Sequence, residues 1–407
     1  MDSSIKLVAN CHQLKNLIYI PTGCKLQPVE TMAILHLFNY NPCMINLDYA
    51  SHTPPCEAAL TAFVQAEREA IGNANARHAA GEAAHEVWQR TTRGIAVLAG
   101  AESAEILHVS SASEGNMRAM LGIAQAYRHH GRHILSTCYA HPSENAALAA
   151  LTEQGYEIGH VRVQQNGFID LAHLEASLRA DTILLCVSAV DSELGVVQPL
   201  EEIAAITRAH ANCHLHIDAA QAMGKVPMPS FDALGAATMT FSAHKFYGVG
   251  GSGVLLCRRG IILEGMYSGT PALGLAAACH AALDEALREM PTRLAYVAKL
   301  HEKLIGALLQ YPKVRINSPL TPLNPYVINL SIEGTRGTTF RDALNRHGVC
   351  VSVKAACATE STPSRPVQAI SDKKNALSSW RISLSHLTTP QEIDAFIHIF
   401  NACYNEL

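Results

Sequence analysis

Between Glu105 and Cys257 the chain alternates short apolar runs with segments of helical period, and that alternation leaves very few folds open to it. Glu105–Val109, His133–Ser136, Glu157–Val163, Thr182–Val190, His214–Asp218, Thr238–Ser242 and Gly253–Cys257 read as strands. Glu114–Arg128, Ser143–Gln154, Leu171–Arg179 and Leu200–His210 read as helices between them. Strands joined through helices pair in parallel, and the helices cover both faces of the sheet. The predicted fold is α/β, with a mostly parallel seven-stranded sheet.

The flanks differ. Residues 1–46 are weakly patterned, with an apolar run at Leu17–Ile20, a turn at Pro21–Gly23 and a helical stretch at Met32–Phe38. Ile45–Tyr49 reads as a short strand, and Cys56–Ile71 as a helix entered through Pro54-Pro55. Beyond Pro271 a long Ala/Leu-rich helix runs to about Leu309. Val327–Ile332, Val349–Val353 and Arg381–Leu384 then read as short strands among helices. The expected organisation is a large cofactor-binding domain over residues 47–268. Residues 1–46 and 269–407 together form the expected smaller α+β domain.

Composition excludes several classes of function. A net charge of −4 carries no basic footprint for nucleic acid, and no apolar run reaches 18 residues. The 12 cysteines show neither CxxC spacing nor a Cys/His cluster, so they read as reduced thiols of a cytoplasmic protein. The first residues lack the pattern of a signal peptide.

The chemistry concentrates at strand ends. Thr238–Ser242 delivers Ser242-Ala243-His244-Lys245 and then breaks at a glycine-rich turn. His214–Asp218 ends on a carboxylate, followed three residues later by Gln221. In a parallel sheet the C-terminal strand ends face the ligand crevice. An acid and an amine placed there suit pyridoxal 5'-phosphate: the acid holds the pyridine nitrogen protonated, and the amine condenses with the aldehyde. Ser242 and His244 can donate to phosphate oxygens, and Gln221 can reach the phenolic oxygen. Taken singly, Lys245 is an ordinary surface lysine and Asp218 an ordinary helix cap. Together they are neither.

The stretch Val109–Asn116 puts small residues, Ala112 and Ser113 among them, between a strand and a helix, where backbone N–H groups can approach a phosphate. A plain N-cap is compatible with the same residues. His141 begins a helix after a central strand and is a candidate to stack on a cofactor ring. Cys357 sits among small and polar residues that imply a loop, a setting suited to an accessible thiolate nucleophile. Arg381 has the planar fork that fits a substrate carboxylate, although a surface ion pair reads equally well.

These segments resemble the class V aminotransferase family of fold-type I pyridoxal phosphate enzymes, and within it the NifS/IscS-type cysteine desulfurases. The resemblance runs from about Leu47 to Phe396. Leu47–Pro54 is similar to the family's LDYxATTP, and Gly72-Asn73 with His78 to its GNPxSxH. Ser110–Asn116 stands where the family has SGATESDN, with Ser113 in place of the phosphate-binding Thr. His141 matches the ring-stacking His of EHxAV. Asp218 and Gln221 match HVDAxQ, and Ser242, His244 and Lys245 match SGHK. Cys357 matches the persulfide-forming Cys of the GSAC loop, and Arg381 the carboxylate-binding Arg of RxSL. Thr270, in Ser268-Gly269-Thr270, matches a Thr that reaches the phosphate of the partner subunit in a homodimer.

The resemblance implies conversion of L-cysteine to L-alanine, with sulfur left on Cys357 for an acceptor protein. Lys245, Cys357 and His141 would be catalytic, and Arg381, Ala50 and Ser192 would meet the substrate. No membrane or direct nucleic-acid contact is expected. There are departures. Asp191-Ser192 replaces the two Asn of NNExG, which adds a charge near the site. Lys354 and Ala355 replace small polar residues before the Cys, and the approach to Ser268 is shortened. They leave open a selenocysteine or cysteine-derivative lyase of the same family, or a weakly catalytic sulfur-carrier platform.

Overall fold

The computed structural model describes residues 44–265, 269–320, 323–354 and 362–407. The expected segments at Leu17–Ile20 and Met32–Phe38 lie outside the described residues. Contacts gather Ile45–Leu407 into one compact unit. In chain order its first half comprises β1 (Ile45–Asn46), α1 (Glu57–Glu69), α2 (Ala79–Ala99), β2 (Ile106–Val109), α3 (Ala112–Ala126), β3 (His133–Thr137), α4 (Pro142–Glu153), β4 (Glu157–Val161), α5 (Leu171–Ser177) and β5 (Thr182–Ser188). There follow α6 (Leu200–Arg208), β6 (His214–Asp218), α7 (Phe231–Leu234), β7 (Thr238–Ser242), β8 (Gly253–Cys257) and α8 (Leu273–Leu308). The last part holds β9 (Val314–Ile316), β10 (Val327–Ile332), α9 (Gly337–Arg346), β11 (Val349–Cys350), α10 (Arg365–Ile370), α11 (Lys373–Ser378), β12 (Ser379–Ser383) and α12 (Pro390–Asn405).

The seven-stranded sheet has the order β2-β8-β7-β6-β5-β3-β4. Every pairing is parallel except those of β8, which runs against both neighbours. Two parallel-sheet faces need two covers, and β5 shows it: all seven of its residues are buried. Leu185 and Val187 join one core with α6 and α8, while Ile183, Leu184 and Cys186 join another with α3 and α4. Because β2 to β7 point the same way, Val109, Thr137, Ser188, Asp218 and Ser242 end on one edge. Gly115 lets α3 sit close to β7, since a Cβ there would lie 2.1 Å from Thr240 Oγ1.

A second core gathers Ile45, Leu47 and Ala50 with β10, β12, α9 and α12. The long helix α8 serves both cores. Ala278, Cys279, Ala282, Leu283 and Ala286 face the first, and Val297, Leu300, Leu304, Ile305 and Leu308 the second, with Pro291 between the two sets. Residues 47–51 are laid along β12: the Ser383 N–H donates to Leu47 O at 2.7 Å, and the Ala50 N–H to Ser383 Oγ at 2.9 Å. That attachment carries Asp48, Ala50 and Ser51 toward the open edge of the large sheet. No helix among the described residues is long and apolar enough to cross a membrane.

Candidate active site

A cavity of about 220 Å³ opens at the C-terminal edge of β5, β6 and β7. Ala50, Ser113, His141, Asp218, Gln221, Ser242, His244, Lys245, Ser192 and Arg381 all line it, as does Ala112. The sequence separates these residues by more than 300 positions, and the sheet brings them together. Thr270 is elsewhere, exposed at the rim of a different cavity with Trp88, His108 and Arg118. Cys357 and Ser268 lie outside the described residues.

Asp218 is buried at the end of β6, and its carboxylate is fixed from two sides. Oδ1 accepts the Ala220 N–H at 2.9 Å, and Oδ2 accepts from Asn116 Nδ2 at 2.8 Å. Asn116 was not singled out by sequence, although it is fully buried on α3. Its Oδ1 meets His216 Nε2 at 2.9 Å, and His216 Nδ1 meets Thr238 Oγ1 at 2.8 Å. Asn116 Nδ2 donates, so its Oδ1 must accept, and His216 carries its proton on Nε2. Burial pushes the His216 imidazole down to about 4, which keeps it neutral.

The same amide reaches the other wall. Asn116 Nδ2 also donates to Ser143 Oγ at 3.2 Å, and Ser143 bonds His141 Nδ1 through Oγ at 2.8 Å and through its N–H at 3.2 Å. His141 Nδ1 is therefore an acceptor, and Nε2 carries the proton. Burial lowers the His141 pKa against the opposing pull of Asp218. Glu144 closes this corner: its carboxylate accepts the His141 N–H at 2.7 Å, and burial, then Asp218, raises its pKa to about 8.

Lys245 stands at the end of a single 3-10 turn that follows β7 directly. Its Nζ donates to Ala50 O at 2.8 Å and Ser51 O at 2.7 Å. Two residues on, Tyr247 holds a left-handed φ of 69°, rare without glycine. The surroundings enforce it. The Tyr247 N–H donates to Thr53 Oγ1 at 2.8 Å, its carbonyl accepts the Cys56 N–H at 2.8 Å, and its hydroxyl bonds Ser385 Oγ at 2.6 Å.

Opposite the acid, α3 begins at the cavity wall. Ser111 caps it through Glu114 N, and the Ala112 N–H donates to Ser242 Oγ. Ser113 is left with an uncommitted N–H and hydroxyl among the described residues, at the positive end of a 15-residue helix. His244 stacks on His52 at 5.5 Å and 18°, and burial with Lys245 nearby lowers it to about 4. It is thus a neutral N–H donor.

Arg381 lies in the middle of β12 rather than at its start, and it is 1% exposed, so the surface-pair reading fails. It donates to Asp48 Oδ1 at 2.8 Å, Ser51 Oγ at 3.0 Å and Ser192 O at 2.7 Å, while Nε has no partner among the described residues. Asp191 adds less charge than expected. It caps its own turn by accepting from the Glu193 and Leu194 N–H groups, and burial, then Glu193, raises its pKa to about 7.

Stability depends on pH through five buried or half-buried histidines. His108, His216, His244, His301 and His386 are all lowered to about 4, chiefly by burial. Between about pH 6.5 and 4 the unfolded chain binds protons that the native state refuses. Stability is then present above pH 6.5 and drains as pH falls. His216 alone sets an upper bound of about 3 kcal/mol. Glu144 and Asp191, raised to about 8 and about 7, pull the other way, so Tm measured from pH 7.5 downward should fall because five histidines outweigh two carboxylates, and a rising profile would show the histidines to be hydrated.

The Aminotransferase class-V family profile matches residues 45–264 and 263–396. A Homo sapiens protein named cysteine desulfurase is 33% identical over 364 residues, covering 86% of this chain and 79% of its own. A Glaesserella parasuis protein named cysteine desulfurase IscS is 32% identical over 384 residues, covering 89% and 93%. A solved structure described as a NifS-like protein superposes with a TM-score of 0.83 at 26% identity, covering 89% of this chain and 100% of that one.

Proposed function

The chain belongs to the aminotransferase class-V family, and on that premise we propose that it is a pyridoxal phosphate-dependent cysteine desulfurase. It would convert L-cysteine to L-alanine and leave the sulfur as a persulfide on Cys357. One observation carries this reading: a fixed carboxylate, a primary amine and an uncommitted anion-donor set converge on one cavity. That donor set fits the cofactor. Ser113, Ser242 and His244 would hold the phosphate, Asp218 the ring nitrogen, Gln221 the phenolic oxygen and Lys245 the aldehyde carbon, with His141 over the ring.

When bound, pyridoxal phosphate supplies an electron sink that weakens the bonds at the substrate α-carbon. The protein does the rest. Arg381 would take the substrate carboxylate by exchanging its present partners Asp48, Ser51 and Ser192. Lys245 would move the α-proton, its Nζ held at the cavity by the Ala50 and Ser51 carbonyls. The Cys357 thiolate attacks the substrate sulfur. The C–S bond breaks, an S–S bond forms, and the bonding pair stays with carbon, which a proton then converts to the methyl group of alanine. His141 can give that proton from Nε2 only, because Nδ1 is tied to Ser143.

The reading includes a cytoplasmic homodimer, with Thr270 serving the neighbouring phosphate, and a sulfur-acceptor protein as partner. The test is incubation with L-cysteine, followed by alanine quantification and mass analysis of the Cys357 peptide. The expected result is alanine plus a peptide heavier by one sulfur atom. Cys357→Ser should keep the visible cofactor absorbance and lose desulfuration. Full alanine formation with free sulfide in that variant would turn the assignment to a lyase.

A further inference from the structure

Lys225 is a buried amine beside the site that the chemistry above does not use. It is 6% exposed, and its Nζ donates to Gln221 Oε1 at 2.9 Å. Gln221 Nε2 in turn donates to Ala50 O at 2.9 Å, the same oxygen that Lys245 Nζ reaches at 2.8 Å. An amide has one accepting and one donating end, nearly equal in shape, so only its neighbours decide which end faces a cavity. On the Ala50 side that decision is shared with Lys245 and open to any occupant. On the Lys225 side it rests on a side chain that is almost wholly buried.

We propose that Lys225 is a positioning residue that locks the Gln221 amide, so that a donor and never an acceptor stands beside the Lys245 amine. An amine kept in such a place costs stability that an apolar side chain of equal length would not. No carboxylate pairs with Lys225 among the described residues. Burial, then Lys245 and Arg381, pulls its pKa well below the usual lysine range. The wall around it is otherwise neutral: Tyr49, Thr53, Tyr247, Asn324 and Tyr326.

The consequence rests on the cofactor reading, in which Gln221 donates to the phenolic oxygen. A donor at that oxygen weakens its hold on the proton of the neighbouring Lys245 nitrogen, so that nitrogen deprotonates at lower pH. With Lys225 gone, only the Ala50 carbonyl orients the Gln221 amide; once an occupant competes for that bond the amide can turn its carbonyl inward, and the proton is held more tightly.

The experiment titrates the visible absorbance of the holoenzyme against pH in wild type, Lys225→Met, Gln221→Ala and the double variant. Both single variants should move the midpoint upward by about one pH unit, and the double variant no further. Lys225→Arg, which keeps a donor on Oε1, should restore the wild-type midpoint. Lys225→Leu gives the same comparison should the methionine variant fail to fold. An unmoved midpoint in Lys225→Met, or a double variant whose shift is the sum of the singles, would overturn the lock while leaving the cofactor reading intact. A wild-type protein with no visible band after loading would instead overturn the cofactor reading and the lock with it.

Discussion

Lys245→Ala should fold, lose the visible absorbance of a covalently held cofactor, and drop alanine formation by about 10⁴-fold or more. The folding part follows from what surrounds the side chain. Its amine bonds the carbonyls of Ala50 and Ser51, and losing those bonds costs about 1–3 kcal/mol. The turn itself is held by Phe246, fully buried, and by Tyr247, bonded at three points. The catalytic part follows from position. Lys245 is the only lysine lining this cavity among the described residues, so no other amine there can attach the aldehyde and carry the α-proton. Lys225 lines the neighbouring cavity, with its amine turned to Gln221. Absorbance after reconstitution and a single-turnover alanine assay are the measurements. Turnover within tenfold of wild type would mean that another base does the work.

Much of this arrangement is legible in the residues alone, and the reasons differ by element. His214–Asp218, Thr238–Ser242 and Gly253–Cys257 match their expected bounds because they are interior strands of the large sheet, paired on both sides and almost wholly buried. Val349–Val353 shrinks to Val349–Cys350, and Glu157–Val163 to Glu157–Val161, because an edge strand lasts only while its single neighbour does. Helix α2 has no counterpart among the expected elements. Its buried positions are mostly small, with Gly81, Ala84, Thr91, Thr92, Ala96 and Ala99 around Ile95, and such a face gives little hydrophobic contrast.

The site divides in the same way. Residues at strand ends could be found, because a parallel sheet brings strand ends together whatever the loops do. Asn116 could have been found: it sits at helical spacing among Ala112, Ala119, Met120 and Ile123, a polar residue on a buried face. The partner it serves, Asp218, is 102 positions away. No local pattern marks Lys225 as buried, nor Asp48 as the partner of Arg381 across 333 positions. Those facts come from the way residues 47–51 are threaded along β12.

Asp218→Ala is the second large effect expected, about 10³-fold or more in alanine formation with the fold retained. A carboxylate matters here only if it stays in place, and the observed chain of bonds secures that. Asn116 is held by neutral His216, so its amide can only donate to Asp218. The Ala220 N–H fixes the other oxygen. Removing the acid leaves two donors without a partner but creates little empty volume, so a folded protein with a weakened cofactor site is the expected product. Asn116→Leu should be milder, because the Ala220 contact remains, and Asp218→Asn should resemble Asp218→Ala, because an amide cannot hold the ring nitrogen in its charged form. That ordering distinguishes charge from shape. If Asp218→Asn kept near-normal turnover while Asp218→Ala lost it, the side chain would be acting as a spacer, and the electron sink would not depend on this acid.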